Sequence, residues 1–401
     1  DPKTGRPEHY LAYGGDWDEE PNDGPFCCNG LVGSDRRPTA KLYEVAHVYR
    51  GIAVSAEPES AAKGVFRLWN RYGFTGADKF DGRWELLADG VQVAAGRFQP
   101  PSVAPLAVGE LVLADVAKAV SSAPAGKELA VNLEFSLKDD AIWAKRGWKV
   151  ARDQIPVAER PWLSAALADN PPGAEKAAVK DLGAEVVVEA GSTRAVFSRR
   201  TGTLSKLTMD GVKVLGDVDG VVAGPRLTCA RAFTDNDHWM RGAVQYDNRR
   251  EGNFFSKGLA QLSYHARPLK CEGGRVMSVV EVTGAKSAGF VHETLWSFRP
   301  DGSILVDNLV KPRGDMPKAL PRIGLSFRLD SALERMEWYG RGPGDNYVDR
   351  CSGSFLGVWK STVSEQFVDD ARPQACGGKS AVRWVRFVGE GGKGVEFAAS
   401  E

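Results

Sequence analysis

The run YGGDWDEEPNDGPFCCNGLVGSDRRP, Tyr13 to Pro38, packs acids, amides, glycines and two adjacent cysteines into a stretch with no regular periodicity. Asn22, Asn29 and the carbonyls around Phe26 are hard oxygen donors, the type that holds sodium, magnesium or calcium. Plain loop architecture competes with that reading. Asp16, Asp18, Glu19 and Glu20 share the same loop and read as a solvated acidic turn. Bond hydrolysis by paired carboxyl groups needs two of them about 5 Å apart, or further apart to admit a water, and no pair in the chain stands out by its spacing.

Other candidates are scattered. RAFTDNDHWM sets Asp235 and Asp237 beside His238, which suits a metal or a proton shuttle, although Asx turn capping explains the same residues. His265 in LSYHARP and His292 in FVHETLW stand alone in strand-like runs and read as structural imidazoles. Trp69, Trp84, Trp143, Trp148, Trp239, Trp296, Trp338 and Trp384 could stack on sugars, but most lie inside strand patterns, which predicts core positions. The six cysteines lack CxxC pairing and are too few for a disulfide framework, so mostly buried thiols are expected. A bond between Cys27 and Cys28 would strain the peptide. GxSxG, HExxH, P-loop and strand-linked GxGxxG motifs are all missing from the sequence.

The elements that must position these residues form three zones. PTAKLYEVAHVYR places Leu42, Val45, Ala46 and Tyr49 at helical spacing behind a proline, and is the one run that predicts a core-facing helix. The period then falls to two. VFRLWNRYGF, RWELLADGVQVAAGRF and LAVNLEFSL predict a first β-sandwich, with Asp89-Gly90 as a hairpin turn. AERPWLSAALADNPPGAEKAAVKDLGAE suits an exposed linker. From EVVVEAG to AVRWVRFV, short strands punctuated by glycine imply a second, larger antiparallel sandwich. The 401 residues are 43% hydrophobic, enough for two or three domains with cores of their own. Lys plus Arg and Asp plus Glu number 52 each, so no net field favours nucleic acid or an anionic membrane as a partner. No apolar run approaches the roughly 18–20 residues of a membrane span. DPKTGRPEHY has neither the basic start nor the apolar centre of a signal peptide.

The opening run resembles the loop after the eighth barrel strand of the large β-galactosidases of glycoside hydrolase family 2, in its YGGD start, its PND, its FC-x-NGLV and its DR-x-P. LYEVAHVYR, NRYGF, KRGWKVARDQ, RAFTDNDHW, LPRIGLSFRL, WYGRGPGDNYVDR and PQACGGKSAVRWVRF follow in family order, so the resemblance spans nearly the whole chain. It implies a mainly β fold. Residues 1–52 would be the last βα loop and helix of a truncated (β/α)8 barrel, and 53–157 an immunoglobulin-like sandwich. Residues 158–180 would be a linker, and 181–401 a large mutarotase-like sandwich cut short at its C-terminus. It further implies a retaining enzyme that releases terminal β-D-galactose from β-galactosides such as lactose, with a parent compatible with homo-oligomers. Both catalytic glutamates are expected upstream, so this stretch alone would be inactive. The Phe26 carbonyl and the Asn29 side chain would hold a sodium ion that meets the sugar, and Asn22 would serve a second site for magnesium. Trp17 and Cys28 depart from the phenylalanine and methionine common in the family, which touches loop packing but no ligand atom.

Two other classes stay open on the sequence: a non-catalytic carbohydrate-binding or scaffold protein, and an aldose epimerase-like enzyme. The epimerase needs a histidine acid and a carboxylate base on one concave sheet. His265 with Glu293 is the pair available for it.

Overall fold

The computed structural model describes residues 11–160, 177–216, 221–232, 234, 254 and 256–399. Asp235, Asp237, His238 and Trp239 lie outside the described residues. Among those described, strands dominate and no closed barrel forms, in line with the expected mainly β class.

The opening run folds as turns around a 3-10 helix, Gly24–Asn29, and is followed by helix α1, Ala40–Val48. The helix was expected from its spacing, but its face is not the expected one. Ala46 is exposed and Tyr49 is 78% exposed, and no residue of α1 is fully buried. The side that meets the rest of the chain carries Glu44, His47 and Arg50, three residues apart, which share one face of a helix. Leu42 and Val45 are half-buried, while Tyr43, Ala46, Val48 and Tyr49 are exposed.

The first sandwich is assembled from β1 (Ile52–Ser55), α2 (Pro58–Ala62), β2 (Val65–Asn70), β3 (Phe80–Ala88), β4 (Val91–Phe98), β5 (Val108–Val112), α3 (Ala114–Ser121), β6 (Leu129–Leu137) and β7 (Lys149–Ala158). Three strands pair as β1-β2-β5 and four as β4-β3-β6-β7. In β2 the period-two rule points Phe66, Leu68 and Asn70 inward. Both sheets pour side chains into one core, where Ile52, Leu68, Leu86, Val131, Leu133 and Phe135 lose all contact with solvent. Buried Asn70 is fully engaged: its Nδ2 donates to the carbonyls of Thr75, Val103 and Ala104 at 2.8–3.1 Å, and its Oδ1 accepts from Tyr72 N. The Asp89-Gly90 hairpin forms as expected, with φ of +50° and +76°. Helix α3 was not expected from the sequence. It buries Val116 against this core, with Ala119 and Val120 packed beside it.

The second unit begins with β8 (Ala178–Asp181), inside the stretch expected as a linker, paired to β9 (Glu185–Ala190). β10 (Thr193–Ser198), β11 (Thr203–Met209) and β12 (Val212–Lys213) complete that five-stranded sheet, and β13 (Arg226–Thr228) pairs further on with a short later strand. A long sheet follows from β14 (Leu262–Ala266), β15 (Lys270–Glu272), β16 (Arg275–Gly284), β17 (Gly289–Phe298) and β18 (Ile304–Arg313); β19 (Gly324–Ser326) is the partner of β13. β20 (Arg335–Gly342), β21 (Phe355–Thr362), β22 (Trp384–Val388) and β23 (Gly394–Ala398) form the last sheet in the order β21-β20-β22-β23. Val186, Val188, Phe197, Val276, Trp296 and Val395 bring three sheets onto one core.

Two expectations about side chains need correction. Trp84, Trp296 and Trp338 are core, but Trp69, Trp143 and Trp148 are 48%, 67% and 59% exposed. Trp69 sits at an outward position of β2 beneath the Arg71 guanidinium, and the other two flank the turn between β6 and β7. All six cysteines are free, yet only Cys229 is buried, because the others lie in loops or on an edge strand rather than at inward positions. The Cys27 and Cys28 sulfurs stand 4.0 Å apart, unbonded.

The units are tied together by side chains. The Glu128 carboxylate, 7% exposed, takes both arms of Arg383 at 2.7 and 3.1 Å and the Tyr339 hydroxyl at 2.6 Å. Gly90 is required beside it, since a Cβ there would stand 2.5 Å from the Tyr339 ring at a positive φ.

Candidate functional site

The opening loop is knitted by its own acids and amides. Glu19 accepts the Gly15 and Trp17 amides at 2.6 and 3.0 Å, Asp16 accepts Tyr13 N at 2.9 Å, and Asp35 pairs with Arg37. Backbone amide bonds from Gly15 outward hold the Glu19 carboxyl below its ordinary value, and the Arg37 amide and guanidinium do the same for Asp35. A general acid needs the opposite shift. These carboxylates serve as turn acceptors, as the sequence suggested.

Asn22 is also spent on architecture: its Oδ1 accepts Gly24 N at 3.0 Å and its Nδ2 donates to Glu19 O at 2.8 Å. One lone pair of Oδ1 remains for any cation. Asn29 differs. It is exposed and, among the described residues, its side chain makes no hydrogen bond. Phe26 lies three residues earlier in the same 3-10 segment, which is kinked between them at Cys28. An amide oxygen and a main-chain carbonyl are donor types that fit sodium, whereas no group of three His, Cys, Asp or Glu gathers for a metal among the described residues.

The loop is fastened to α1 behind it. Lys41 Nζ donates to the Cys28 carbonyl at 3.3 Å, and the Thr39 amide and hydroxyl both donate to Leu31 O at 3.1 and 2.8 Å. One turn along the helix, Glu44 accepts Ser352 N at 3.1 Å, Gly353 N at 2.9 Å and the Ser352 hydroxyl. Burial alone would raise the Glu44 pKa, but the donors from Ser352 and Gly353 outweigh it and leave the carboxyl below its ordinary value. His47 meets the Phe355 ring edge-on at 5.6 Å, and Arg50 reaches the buried Asp153 carboxylate at 2.7 Å. Gln154 completes the junction: its Nε2 donates to Leu356 O and its Oε1 accepts Leu356 N, both at 2.8 Å, while Nε2 also donates to Asn132 Oδ1 at 3.0 Å. Glu44 was not singled out from the sequence. Its partners lie 308 and 309 positions away, and the only local signal was its spacing from His47 and Arg50.

The strand register decides the histidines. His265 pairs with Glu281, which pairs with Val291, so His265 and Glu293 share the outer face of the long sheet about 12 Å apart. Glu293 is taken by Lys311 Nζ at 2.7 Å. His292 points to the inner face, where Nε2 contacts Asn308 Oδ1 at 2.9 Å and Thr294 Oγ1 at 3.0 Å. Burial lowers its pKa against the opposing pull of Asn308, so it is a neutral, satisfied imidazole. The cavity beside it measures about 20 Å³ and has no carboxylate in its lining. That is room for about one water and too little for a hexose. The structure does not assemble an epimerase site from these residues.

Comparison with known proteins gives three consecutive matches. Residues 2–54 match the family 2 glycosyl hydrolase TIM barrel domain, 66–158 match domain 4 of β-galactosidase, and 189–401, more than half of the chain, match the β-galactosidase small chain. The chain belongs to the β-galactosidases of family 2. Among curated relatives, a β-galactosidase of Priestia megaterium is 28% identical over 390 residues, covering 96% of this chain and 35% of the relative. Those of Halalkalibacterium halodurans and Lactobacillus delbrueckii subsp. bulgaricus are each 28% identical, covering 98% of this chain and 36% of their own length. The chain thus spans about a third of the length of the β-galactosidases it matches. The matched barrel segment contains the opening loop and α1, the part with no core of its own.

Proposed function

We propose that this chain is the C-terminal part of a retaining glycosidase that removes terminal β-D-galactose from β-galactosides such as lactose. Within it the opening loop closes the sugar pocket, and the two sandwiches hold that loop in place. The observation that carries this reading is the uncommitted Asn29 amide, three residues after Phe26, in a segment that matches the family barrel. Asn29 binds the sugar and, with the Phe26 carbonyl, holds a sodium ion; Asn22, with one lone pair to spare, serves a weaker magnesium site. When bound, the sodium supplies a fixed positive charge for a sugar hydroxyl. The chain's own contribution is orientation, since Asp16, Glu19 and Asp35 of its loop are held as turn acceptors.

Two measurements test the proposal. The chain alone should turn over no nitrophenyl β-galactoside, and turnover abolished by a point substitution within it would contradict the assignment of catalysis to residues outside it. In the full-length protein, Asn29→Ala should raise KM for a galactoside about tenfold, equivalent to about 1.4 kcal/mol, and flatten the response to sodium over potassium. A 6-deoxy galactoside should show a smaller effect. Unchanged KM and unchanged sodium response would remove Asn29 from the site.

A further inference from the structure

Among the described residues, the hydrogen bonds between helix α1 and the second sandwich converge on one carboxylate, Glu44, with His47 packed on Phe355 beside it, and the same helix reaches the loop through Lys41. Lys41 and Glu44 are three residues apart, one helical turn. Glu44 gathers the amides of Ser352 and Gly353 and the Ser352 hydroxyl, while Lys41 holds the carbonyl of Cys28, the residue before Asn29. The approach is close. A Cβ at Gly353 would stand 2.9 Å from the Tyr43 carbonyl and 3.2 Å from His47 Cβ, so only glycine lets the sandwich loop press on the helix. On the far side of the contact, Phe355 is sandwiched by His47 at 5.6 Å and the Arg152 guanidinium at 4.5 Å, which fixes where the 352–355 backbone sits relative to the first sandwich.

We propose that Glu44 is a positioning residue for the substrate loop: it anchors α1 to Ser352 and Gly353, and α1 through Lys41 sets the Cys28–Asn29 turn. The proposal rests on the reading of Asn29 as a sugar and ion contact. It assigns the second sandwich a role in sugar affinity exerted from behind the loop, with no contact to substrate. A carboxylate is the right group for this position, since it accepts three hydrogen bonds at once and a charged acceptor makes each of them stronger. Glutamine retains one acceptor oxygen and can keep only part of the set.

The test has an arm that does not depend on sugar. In this chain, Glu44→Ala should speed amide exchange at least tenfold across residues 26–31 and 40–48, with β3 and β6 unchanged. In the full-length protein, Glu44→Ala should raise galactoside KM about fivefold and weaken the sodium response while kcat stays within about twofold, and Glu44→Gln should recover part of the loss. Ser352→Ala, which removes one donor only, serves if Glu44→Ala does not fold, and should raise KM about twofold. Asn29→Ala is measured alongside. If Asn29→Ala raises KM while the Glu44 and Ser352 variants change neither KM nor exchange, the positioning role is wrong and the loop reading stands. If exchange rises but neither the Asn29 nor the Glu44 variant alters KM, the loop reading fails and the positioning role fails with it.

Discussion

The opening segment, 11–50, and the first sandwich, 52–158, are neighbours in sequence built from similar side chains, yet only the second closes on itself. The sandwich seals Leu68, Leu86, Leu133 and Phe135 completely. The segment before it has no fully buried residue among those described, and leaves Trp17, Phe26, Tyr43 and Tyr49 at 70%, 64%, 64% and 78% exposure. Side chains of that size each contribute about 1.5–3 kcal/mol when fully buried, and most of that is unrealised inside the chain. What holds the segment is polar: the Glu44 carboxylate, the Arg50–Asp153 pair and hydrogen bonds within the loop. A helix of nine residues is too short to stand on its own propensity. The contrast teaches that a segment without a core of its own can be held by polar ties, while the two sandwiches carry their cores with them.

The largest effect should come from breaking the closed side of the contrast. Phe135→Ala should cost the first sandwich about 3–5 kcal/mol in denaturant unfolding, whereas Tyr49→Ala should move the same transition by less than about 0.5 kcal/mol. Equal costs would mean that the helix contributes to a core after all. Next comes the link between the sandwiches. Glu128→Ala leaves the Arg383 guanidinium and the Tyr339 hydroxyl without their shared acceptor, and breaking a buried pair in this way costs about 3 kcal/mol or more. A loss confined to a few tenths would show that water replaces the carboxylate there.

A smaller effect should follow pH, read as the free energy of opening of α1 from amide exchange. Around His47 stand Glu44 and Arg50 on the helix and Arg152 and Asp153 from β7. Burial, aided by Arg50, lowers the His47 pKa below its ordinary 6.5, so the unfolded helix binds a proton that the docked one refuses. Docking should weaken as pH falls through 6.5 and level off below the docked value. Glu44 adds a second step: its pKa lies below 4.5, so its stabilisation is complete above that pH and fades as pH falls through the docked value. Glu44→Gln should remove the lower step and leave the upper one. A helix whose docking strengthens as pH drops from 7 to 5 would contradict a lowered His47 pKa.

How much of this was legible in the sequence depended on where each residue's partner lies. The Asp89-Gly90 hairpin and the alternation of β2, β3 and β6 were readable because turn chemistry and period two are local. Helix α1 was readable as a helix, but of the face its spacing pointed inward only Leu42 and Val45 are half-covered, and Ala46 and Tyr49 are left exposed. His265 and His292 look alike in sequence, and only the register of β14, β16 and β17 puts one on the outer face with Glu281 and the other on the inner face with Asn308. Asn29 was nominated as an oxygen donor by its residue type and as a sugar and ion contact by resemblance, and nothing in its neighbourhood foretold that its amide would be left unbonded while that of Asn22 is consumed. Glu44 was invisible for a different reason, since no local pattern encodes a partner three hundred residues away.

Amide exchange across Tyr13–Gly30, compared between this chain and the full-length protein, tests most directly whether the opening segment is completed by surfaces outside the chain. Weak protection is expected in the chain alone, while β3 and β6 are strongly protected, with protection raised at least a hundredfold in the full-length protein. Uniformly strong protection of Tyr13–Gly30 in the chain alone would contradict it.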